Sequence, residues 1–164
     1  MRVISGKYKG RHFDVPRNFK ARPTTDFAKE GLFNIISNEW DLEGCAVLDL
    51  FAGSGQLGIE ALSRGAKSAV FVDAGEPACR LIRENLRRAK LESDATVIRS
   101  DYLAYLKRCR EKFDIIFADP PYALEDLATI PDKVFAAGIL HPGAYFILEH
   151  PEEHNFESHP YYIK

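Results

Sequence analysis

Five short apolar runs, separated by segments with helical spacing, constrain the fold of this 164-residue chain more than any other feature. Strands that are apolar throughout are typical of a parallel sheet covered by helices on both faces. The sequence therefore predicts one doubly wound α/β domain, since a chain of this length has room for a single core. The runs are AVLDLF (46–51), SAVFVD (68–73), ATVIRS (95–100), FDIIFAD (113–119) and AYFILEH (144–150).

A helix and a basic arm are predicted ahead of the first sheet strand. The helix spans residues 25–38, with Thr25 or Asp26 as its N-cap. Residues 1–22 alternate apolar and polar side chains around two glycines, which predicts a β-hairpin arm attached to a core of residues 23–164. The helical side chains expected to face inward are Leu32, Phe33, Ile35 and Ile36.

The net charge of −2 conceals an uneven distribution of charge along the chain. Residues 1–30 contain eight basic and three acidic side chains, a balance of +5. A basic arm on an acidic body indicates a polyanionic partner, although a solvated surface hairpin explains the charge equally well. We find no apolar run long enough to span a bilayer and no secretory signal pattern, so we expect a cytoplasmic protein without a membrane partner.

Three cysteines are spread widely along the chain. Cys45, Cys79 and Cys109 lie 34 and 30 residues apart and form no C-x-x-C pair. The spacing does not match a zinc or redox motif. We expect them to be reduced, buried and apolar in character, and we expect no metal site.

A glycine-rich turn, AGSGQLG, follows the first strand and leads into a helix. Gly53, Gly55 and Gly58 allow a sharp bend there and the close approach of a ligand to the main chain. The glycine spacing also fits the dinucleotide-binding fingerprint, so the turn alone does not distinguish NAD from S-adenosylmethionine. Asp49 inside the strand favours S-adenosylmethionine, because a carboxylate attracts its ammonium and sulfonium groups and would repel a pyrophosphate.

Two further acidic residues follow the second and third strands. Asp73, 20 residues after Gly53, is placed to accept hydrogen bonds from two ribose hydroxyls. Asp101 is placed to meet an adenine amino group, but also to cap a helix that begins at Tyr102. Each acid alone is explained more simply as a cap or a solvated turn. Together, at the ends of successive strands beside a glycine turn, the three acids predict a cofactor site.

The fourth strand ends in Asp119-Pro120-Pro121-Tyr122. Consecutive prolines fix φ and remove two backbone donors, which makes this corner a stiff projection. The Asp119 carboxylate and the Pro120 carbonyl can accept hydrogen bonds from an exocyclic base amine and direct its lone pair at the sulfonium methyl group. Tyr122 is suited to stack on the base. The pattern predicts methylation of a base nitrogen, and a helix-entry turn with a buried tyrosine is the structural alternative.

The whole chain resembles the RsmD family of small-subunit ribosomal RNA guanine-N2 methyltransferases, which are Rossmann-like class I enzymes. The resemblance rests on DLFAGSGQLGIEALSRGA, FVD, SD and FADPPY, and more specifically on RVISGKYKGR and RPTTDFAKEGLFNII. It implies a substrate presented in the small ribosomal subunit or its assembly intermediate, and we expect the protein to act as a monomer. The site residues expected on this basis are Asp49, Phe51, Gly53, Gly55, Asp73 and Asp101 for the cofactor, Asp119, Pro120, Pro121 and Tyr122 for catalysis, and Arg11, Arg22, Thr24 and Thr25 for RNA.

The carboxyl-terminal part of the sequence departs from the family pattern. Members of this fold complete a seven-stranded sheet with a β-hairpin, whereas this sequence reaches HPYYIK one strand into it. Either this sequence is a truncated form of a longer chain or the last sheet strand is absent, and an absent strand would leave an open edge.

Three other functions share part of the pattern. A DNA adenine-N6 methyltransferase also uses D-P-P-Y but needs further segments to read DNA sequence. An NAD-dependent oxidoreductase is favoured only by the glycine spacing and leaves D-P-P-Y unexplained. An inert RNA-binding module would keep the basic arm but would need neither the acids nor D-P-P-Y.

Overall fold

The computed structural model describes residues 26–39, 41–121, 123–150 and 156. Its helices are α1 (Asp26–Glu39), α2 (Gln56–Ser63), α3 (Glu76–Ala89), α4 (Tyr102–Arg108) and α5 (Ile130–Ala136), with 3₁₀ turns at Glu92–Asp94 and Leu127–Thr129. Its strands are β1 (Ala46–Leu50), β2 (Ser68–Asp73), β3 (Ala95–Arg99), β4 (Phe113–Ala118) and β5 (Leu140–Leu148). The predictions that fall outside the described residues concern the arm (1–22), Arg11, Arg22, Thr24, Thr25, Tyr122 and the final strand beyond residue 156.

The described strands form one parallel sheet in the order β3-β2-β1-β4-β5. Leu50 at the end of β1 pairs with Val72 of β2 on one side and with Ala118 of β4 on the other. Because all pairs are parallel, the strands end on the same side of the sheet, which we call the carboxyl end. The doubly wound α/β fold is thereby confirmed, with β1 at its centre.

Helices pack on both faces of the sheet because successive strand residues point to opposite sides. Val47, Phe71 and Phe117 face one layer, formed by α1, α2 and α3, and we call this the α2 face. Leu48 and Ile116 face the other layer, formed by α4 and α5. These sheet residues are fully buried, and each contributes about 1.5–3 kcal/mol through the hydrophobic effect. The odd-numbered residues of β1 therefore belong to the α2 face.

Helix α1 packs on the α2 face largely as predicted, with one error. Phe33 and Ile36 are buried, and the rings of Phe33 and Phe117 have centroids 5.5 Å apart. Leu32 is half-buried against the same core. The prediction that Ile35 faces inward is wrong, because its side chain is 63% exposed. Residue 35 lies about 200° around the helix from residue 33, so the two cannot share a face.

A buried group of charged side chains joins α1 to α2. Glu60 is fully buried, and its carboxylate lies 3.7 Å from Lys29 Nζ and 2.9 Å from Arg64 Nε. The guanidinium of Arg64 also lies 5.0 Å from the centroid of the Phe33 ring. Such a group fixes the orientation of one helix against another more than it adds stability, because desolvation offsets much of the attraction.

Strand β5 differs most from its predicted limits. It begins at Leu140, four residues before the predicted start at 144, and its pairing with β4 is irregular between Phe113 and Ile115. Exposed residues His141 to Gly143 open the strand, and Gly143 has φ of 81°. The early start was missed because exposed polar residues and a glycine are not typical of a buried strand.

The prediction of buried cysteines is correct for Cys45 and Cys79 and wrong for Cys109. Cys45 and Cys79 are buried, Cys109 is half-buried, and all three are free thiols. Burial raises the pKa of the Cys45 and Cys79 thiols, with nearby carboxylates adding to the effect. These thiols are therefore protonated at neutral pH. Across the described ranges, no helix has both the length and the hydropathy to cross a bilayer.

Candidate functional site

The turn between β1 and α2 has an unusual backbone. Phe51, Gly53 and Gly55 have φ of 63°, 61° and 82°. Glycine adopts this left-handed region freely, but phenylalanine does so only under strain, and such strain is concentrated at functional sites. The N–H of Ala52 donates to the carbonyl of Val72 at 2.9 Å, and that of Gly55 donates to Ala52 at 2.8 Å. The turn is therefore held rigidly at the carboxyl end of the sheet.

Asp73 ties this turn to the loop after β2. Its Oδ2 accepts a hydrogen bond from the N–H of Gly53, and its Oδ1 accepts one from the N–H of Gly75, both at 2.9 Å. A carboxylate has about four acceptor positions, so each oxygen can accept one further hydrogen bond. The half-buried carboxylate thus supports the glycine turn and keeps acceptor positions for further hydrogen bonds.

Replacing Asp73 by alanine is expected to lower the affinity for S-adenosylmethionine by about 100-fold, because two hydrogen bonds to a charged acceptor are removed and the turn is released. Isothermal titration calorimetry with S-adenosylhomocysteine and S-adenosylmethionine measures this change. Asp94→Ala, which removes an exposed acid from the 3₁₀ turn before β3, is the matched control and should bind normally. An Asp73→Ala affinity within threefold of the wild-type value would contradict the assignment.

Asp49 is a buried carboxyl group below the glycine turn. It is 1% exposed, and its Oδ2 accepts a hydrogen bond from the N–H of Gly58 at 3.0 Å. Burial raises its pKa well above the ordinary value, the Gly58 hydrogen bond opposes this, and the charges of Asp119 and Asp73 add to the rise. Among the described side chains, no Lys or Arg forms an ion pair with Asp49 or Asp73. A cationic ligand at the carboxyl end would relieve the mutual repulsion of these acids.

Asp101 caps α4, which was the alternative interpretation from the sequence. Its carboxylate accepts hydrogen bonds from the N–H groups of Leu103 at 3.0 Å and Ala104 at 3.3 Å. The preceding Ser100 donates its N–H to the carbonyl of Asp73 at 2.9 Å, which keeps Asp101 at the carboxyl end of the sheet. The exposed carboxylate still has acceptor positions, and its contact with an adenine amine stays a prediction.

The diproline corner follows β4 beside the glycine turn. Ala118 pairs with Leu50, so Asp119 lies opposite the start of the turn on the α2 face, which it shares with Asp49. Pro120 is buried and Pro121 is exposed. The N–H of Leu124 donates to the carbonyl of Pro121 at 3.0 Å, and we find no hydrogen bond to the Pro120 carbonyl from any described residue. Tyr122 lies outside the described residues.

A polar contact that the sequence analysis missed connects the diproline loop to α4. The hydroxyl of Tyr102 donates to the Asp126 carboxylate, which also lies 2.9 Å from Lys133 Nζ. The Tyr102 ring packs on Phe51 with centroids 4.8 Å apart. Desolvation raises the pKa of Tyr102, and the hydrogen bond to Asp126 adds to the rise, so this hydroxyl remains a donor. Nothing in the local sequence links these residues, because the contact depends on tertiary packing.

Two buried amides were also missed. Asn85 of α3 is fully buried and donates from Nδ2 to the carbonyl of Ser54 at 3.1 Å, which supports the glycine turn from beneath. Gln56 is the first residue of α2 and is 6% exposed. Asn85 shares the buried face of α3 with Ile82 and Leu86, so a polar residue at an apolar position of the helical pattern is the sequence signal for it.

The sequence matches, over residues 1–164, a family described as "Conserved hypothetical protein 95". It is 40% identical over 156 residues to the "Putative rRNA methyltransferase YlbH" of Bacillus subtilis, covering 93% of this chain and 84% of that protein. It is 36% identical over 122 residues to the "Ribosomal RNA small subunit methyltransferase D" of Escherichia coli K12, covering 74% of this chain but only 60% of that protein. The solved structure of a hypothetical protein from Thermus thermophilus superposes with a TM-score of 0.84 at 34% identity, covering 94% of this chain and 88% of that one.

Proposed function

Because the chain belongs to the Conserved hypothetical protein 95 family, we propose that it is an S-adenosylmethionine-dependent methyltransferase acting on ribosomal RNA. The resemblance to small-subunit ribosomal RNA methyltransferases is confirmed by the Escherichia coli relative of that name, and the Bacillus subtilis relative is named as a putative rRNA methyltransferase. The observation that carries the proposal is the placement of the diproline corner beside a buried acid and a glycine turn. An oxidoreductase or a purely RNA-binding module has no use for that combination.

The acids at the carboxyl end fit S-adenosylmethionine better than a dinucleotide. This cofactor supplies a methyl group on a positively charged sulfur. Asp49 would attract its ammonium group directly or through water. Asp73 would accept hydrogen bonds from its ribose hydroxyls, and Asp101 would accept one from its adenine amine. Phe51 would border the same pocket. Gly53 and Gly55 let the main chain approach the ligand without side-chain atoms in the way.

We propose that the methyl acceptor is the exocyclic N2 of guanine. Its N–H groups would donate to the Asp119 carboxylate and the Pro120 carbonyl, which draws the nitrogen lone pair out of conjugation with the ring. The N–CH₃ bond forms as the S–CH₃ bond breaks, and the nitrogen then releases one proton, which Asp119 can accept. Catalysis relies on position and electrostatics, since the methylated ammonium is acidic. Tyr122 would stack on the base once the base has flipped out of the RNA helix.

The proposed partner is small-subunit ribosomal RNA, presented in the subunit or its assembly intermediate. The basic arm would contact phosphates through Arg11 and Arg22. Thr24 and Thr25, which follow the arm in the sequence, would also contact the RNA. A monomeric state and a cytoplasmic location are part of the same proposal.

The double variant Arg11→Ala, Arg22→Ala is expected to weaken RNA binding and to flatten its salt dependence. Removing one phosphate contact should reduce the log–log slope by about 0.7–0.9, because fewer counterions are released on binding. Filter binding or anisotropy across a salt series measures the slope. The matched control is Arg108→Ala, Arg110→Ala, which removes the same charge from the exposed end of α4 and its following loop. Equal slopes for wild type and the arm variant would exclude the arm from the interface.

A single labelling experiment tests the proposed function. The protein is incubated with tritiated S-adenosylmethionine and small subunits from a strain lacking the enzyme, and the RNA is digested to nucleosides. We expect label in N2-methylguanosine. Label in N6-methyladenosine would favour the adenine alternative, for which duplex DNA is the comparison substrate. Tight calorimetric binding of NAD without binding of S-adenosylmethionine would overturn the proposal.

A further inference from the structure

Gln56 is the first residue of α2 and directly follows the glycine turn. It shares one face of α2 with Glu60 and Arg64, because residues four apart lie one above another on a helix. Glu60 contacts Lys29 of α1, and Arg64 contacts Ser37. That face of α2 is therefore turned toward α1. Gln56 lies one turn nearer to the carboxyl end of the sheet than Glu60.

The end of β4 lies at the same carboxyl end of the sheet as the start of α2. Helix α1 begins near the carboxyl end of the sheet and ends near the opposite end. This direction follows because the chain after α1 leads through Cys45 directly into the start of β1. Phe33 of α1 packs on Phe117 of β4, and Asp119 follows on the same face of the sheet. The start of α2, the start of α1 and Asp119 therefore lie at the carboxyl end of the sheet on the same face, which is where the proposed target base has to enter.

The side-chain oxygen of Gln56 is buried without a partner. Within the described part of the chain, nothing donates a hydrogen bond to Oε1, although the residue is only 6% exposed. An unsatisfied buried acceptor destabilises the folded protein, and most buried polar groups have a hydrogen-bond partner. A ligand that donates to this oxygen when it binds would satisfy it.

We propose that Gln56 reads the ring edge of the target guanine, an assignment that rests on the proposed function. When N2 of guanine meets Asp119 and Pro120, the adjacent N1–H is a donor suited to Oε1 of Gln56. The amide N–H₂ of the same side chain can donate to O6 on the other side of N1. Adenine has an acceptor at N1 and an amine at C6, so it presents the opposite pattern. Gln56 is thereby a specificity-determining residue for the base.

The test compares two target bases in the same RNA. Small-subunit RNA is ligated with either guanine or 2-aminopurine at the nucleotide mapped by the labelling experiment and is reconstituted into subunits. 2-Aminopurine keeps the amine at C2 but lacks both N1–H and O6. The variant is Gln56→Met, which keeps the length of the side chain and removes its hydrogen-bonding groups, and kcat/KM is measured for each RNA.

We expect Gln56→Met to lower kcat/KM for the guanine RNA by about 30-fold and to change that for the 2-aminopurine RNA by less than threefold. For each RNA, kcat/KM of the variant is divided by that of the wild-type protein, so the different intrinsic reactivities of the two amines cancel. Asn85→Leu is the control, because it also removes a buried amide but acts through the glycine turn, which Asn85 supports. Activity on both RNAs should therefore fall by the same factor. Thermal unfolding of each variant shows whether it is folded.

The outcomes separate this inference from the proposed function. A loss specific to guanine supports the assignment of Gln56. Equal losses on both RNAs from Gln56→Met, with a normal unfolding temperature, would overturn it and leave the methyltransferase proposal standing. A wild-type protein that binds S-adenosylmethionine but methylates no guanine in these subunits would overturn the proposed substrate, and the assignment with it.

Discussion

Asp119→Ala is expected to abolish methyl transfer, with kcat lowered by about 10³-fold, while affinity for S-adenosylmethionine stays within a few-fold of the wild-type value. The carboxylate follows β4 on the same sheet face as Asp49, and its charge raises the pKa of that buried acid. Without it, one of the two acceptors proposed to orient the amine would be missing. The Pro120 carbonyl alone cannot hold the nitrogen in line with the methyl group.

Single-turnover transfer of tritium from the cofactor to small subunits measures this loss, and calorimetry measures cofactor affinity. Glu125→Ala is the matched control, since it removes an exposed acid from the same loop. It should retain both transfer and binding. If Asp119→Ala reduced cofactor binding to the same extent as methyl transfer, Asp119 would be a cofactor ligand and its proposed role on the base would be wrong.

Gly58→Ala is expected to reduce the free energy of unfolding by about 3 kcal/mol, which makes it the largest stability effect that we predict. A β-carbon at this position would lie 2.7 Å from Cζ of Phe71 and closer still to Cε1. Phe71 is fully buried at the centre of the α2 face, so its ring cannot withdraw without disturbing the core. Because the N–H of Gly58 donates to Asp49, a shift of α2 would also disturb the proposed cofactor site.

Urea unfolding followed by circular dichroism measures the change. Gly31→Ala is the control, because Gly31 lies within α1 with open space around its missing side chain, and alanine there should stabilise by about 0.5–1 kcal/mol. The double variant Gly58→Ala, Phe71→Leu should be less destabilised than the sum of its single variants, since the smaller side chain makes room. Strict additivity would mean that the clash with Phe71 is not the cause.

Most of the site could be anticipated because it is built at strand ends. β1 to β4 begin at their predicted residues and end one residue early or at the predicted end, so Asp49 and Asp73 lie in their predicted strands, Asp101 lies after β3 as predicted, and Asp119 lies one residue beyond β4. Parallel pairing then brings those positions to one side of the sheet without further information. Asp101 shows the limit of such reasoning, because two roles were compatible with its position and the structure displays the capping role.

The local order of residues determined the sheet, its helical layers and the acids around the glycine turn, because periodicity and turn chemistry act between near neighbours in the chain. Only the tertiary structure decided that Ile35 faces solvent, that Glu60 meets Lys29, that Tyr102 meets Asp126 and that the Gln56 oxygen is buried without a described partner. These contacts depend on how whole helices are rotated and packed against one another. That rotation is set by the combined shape of both core layers, which no single segment of the sequence specifies.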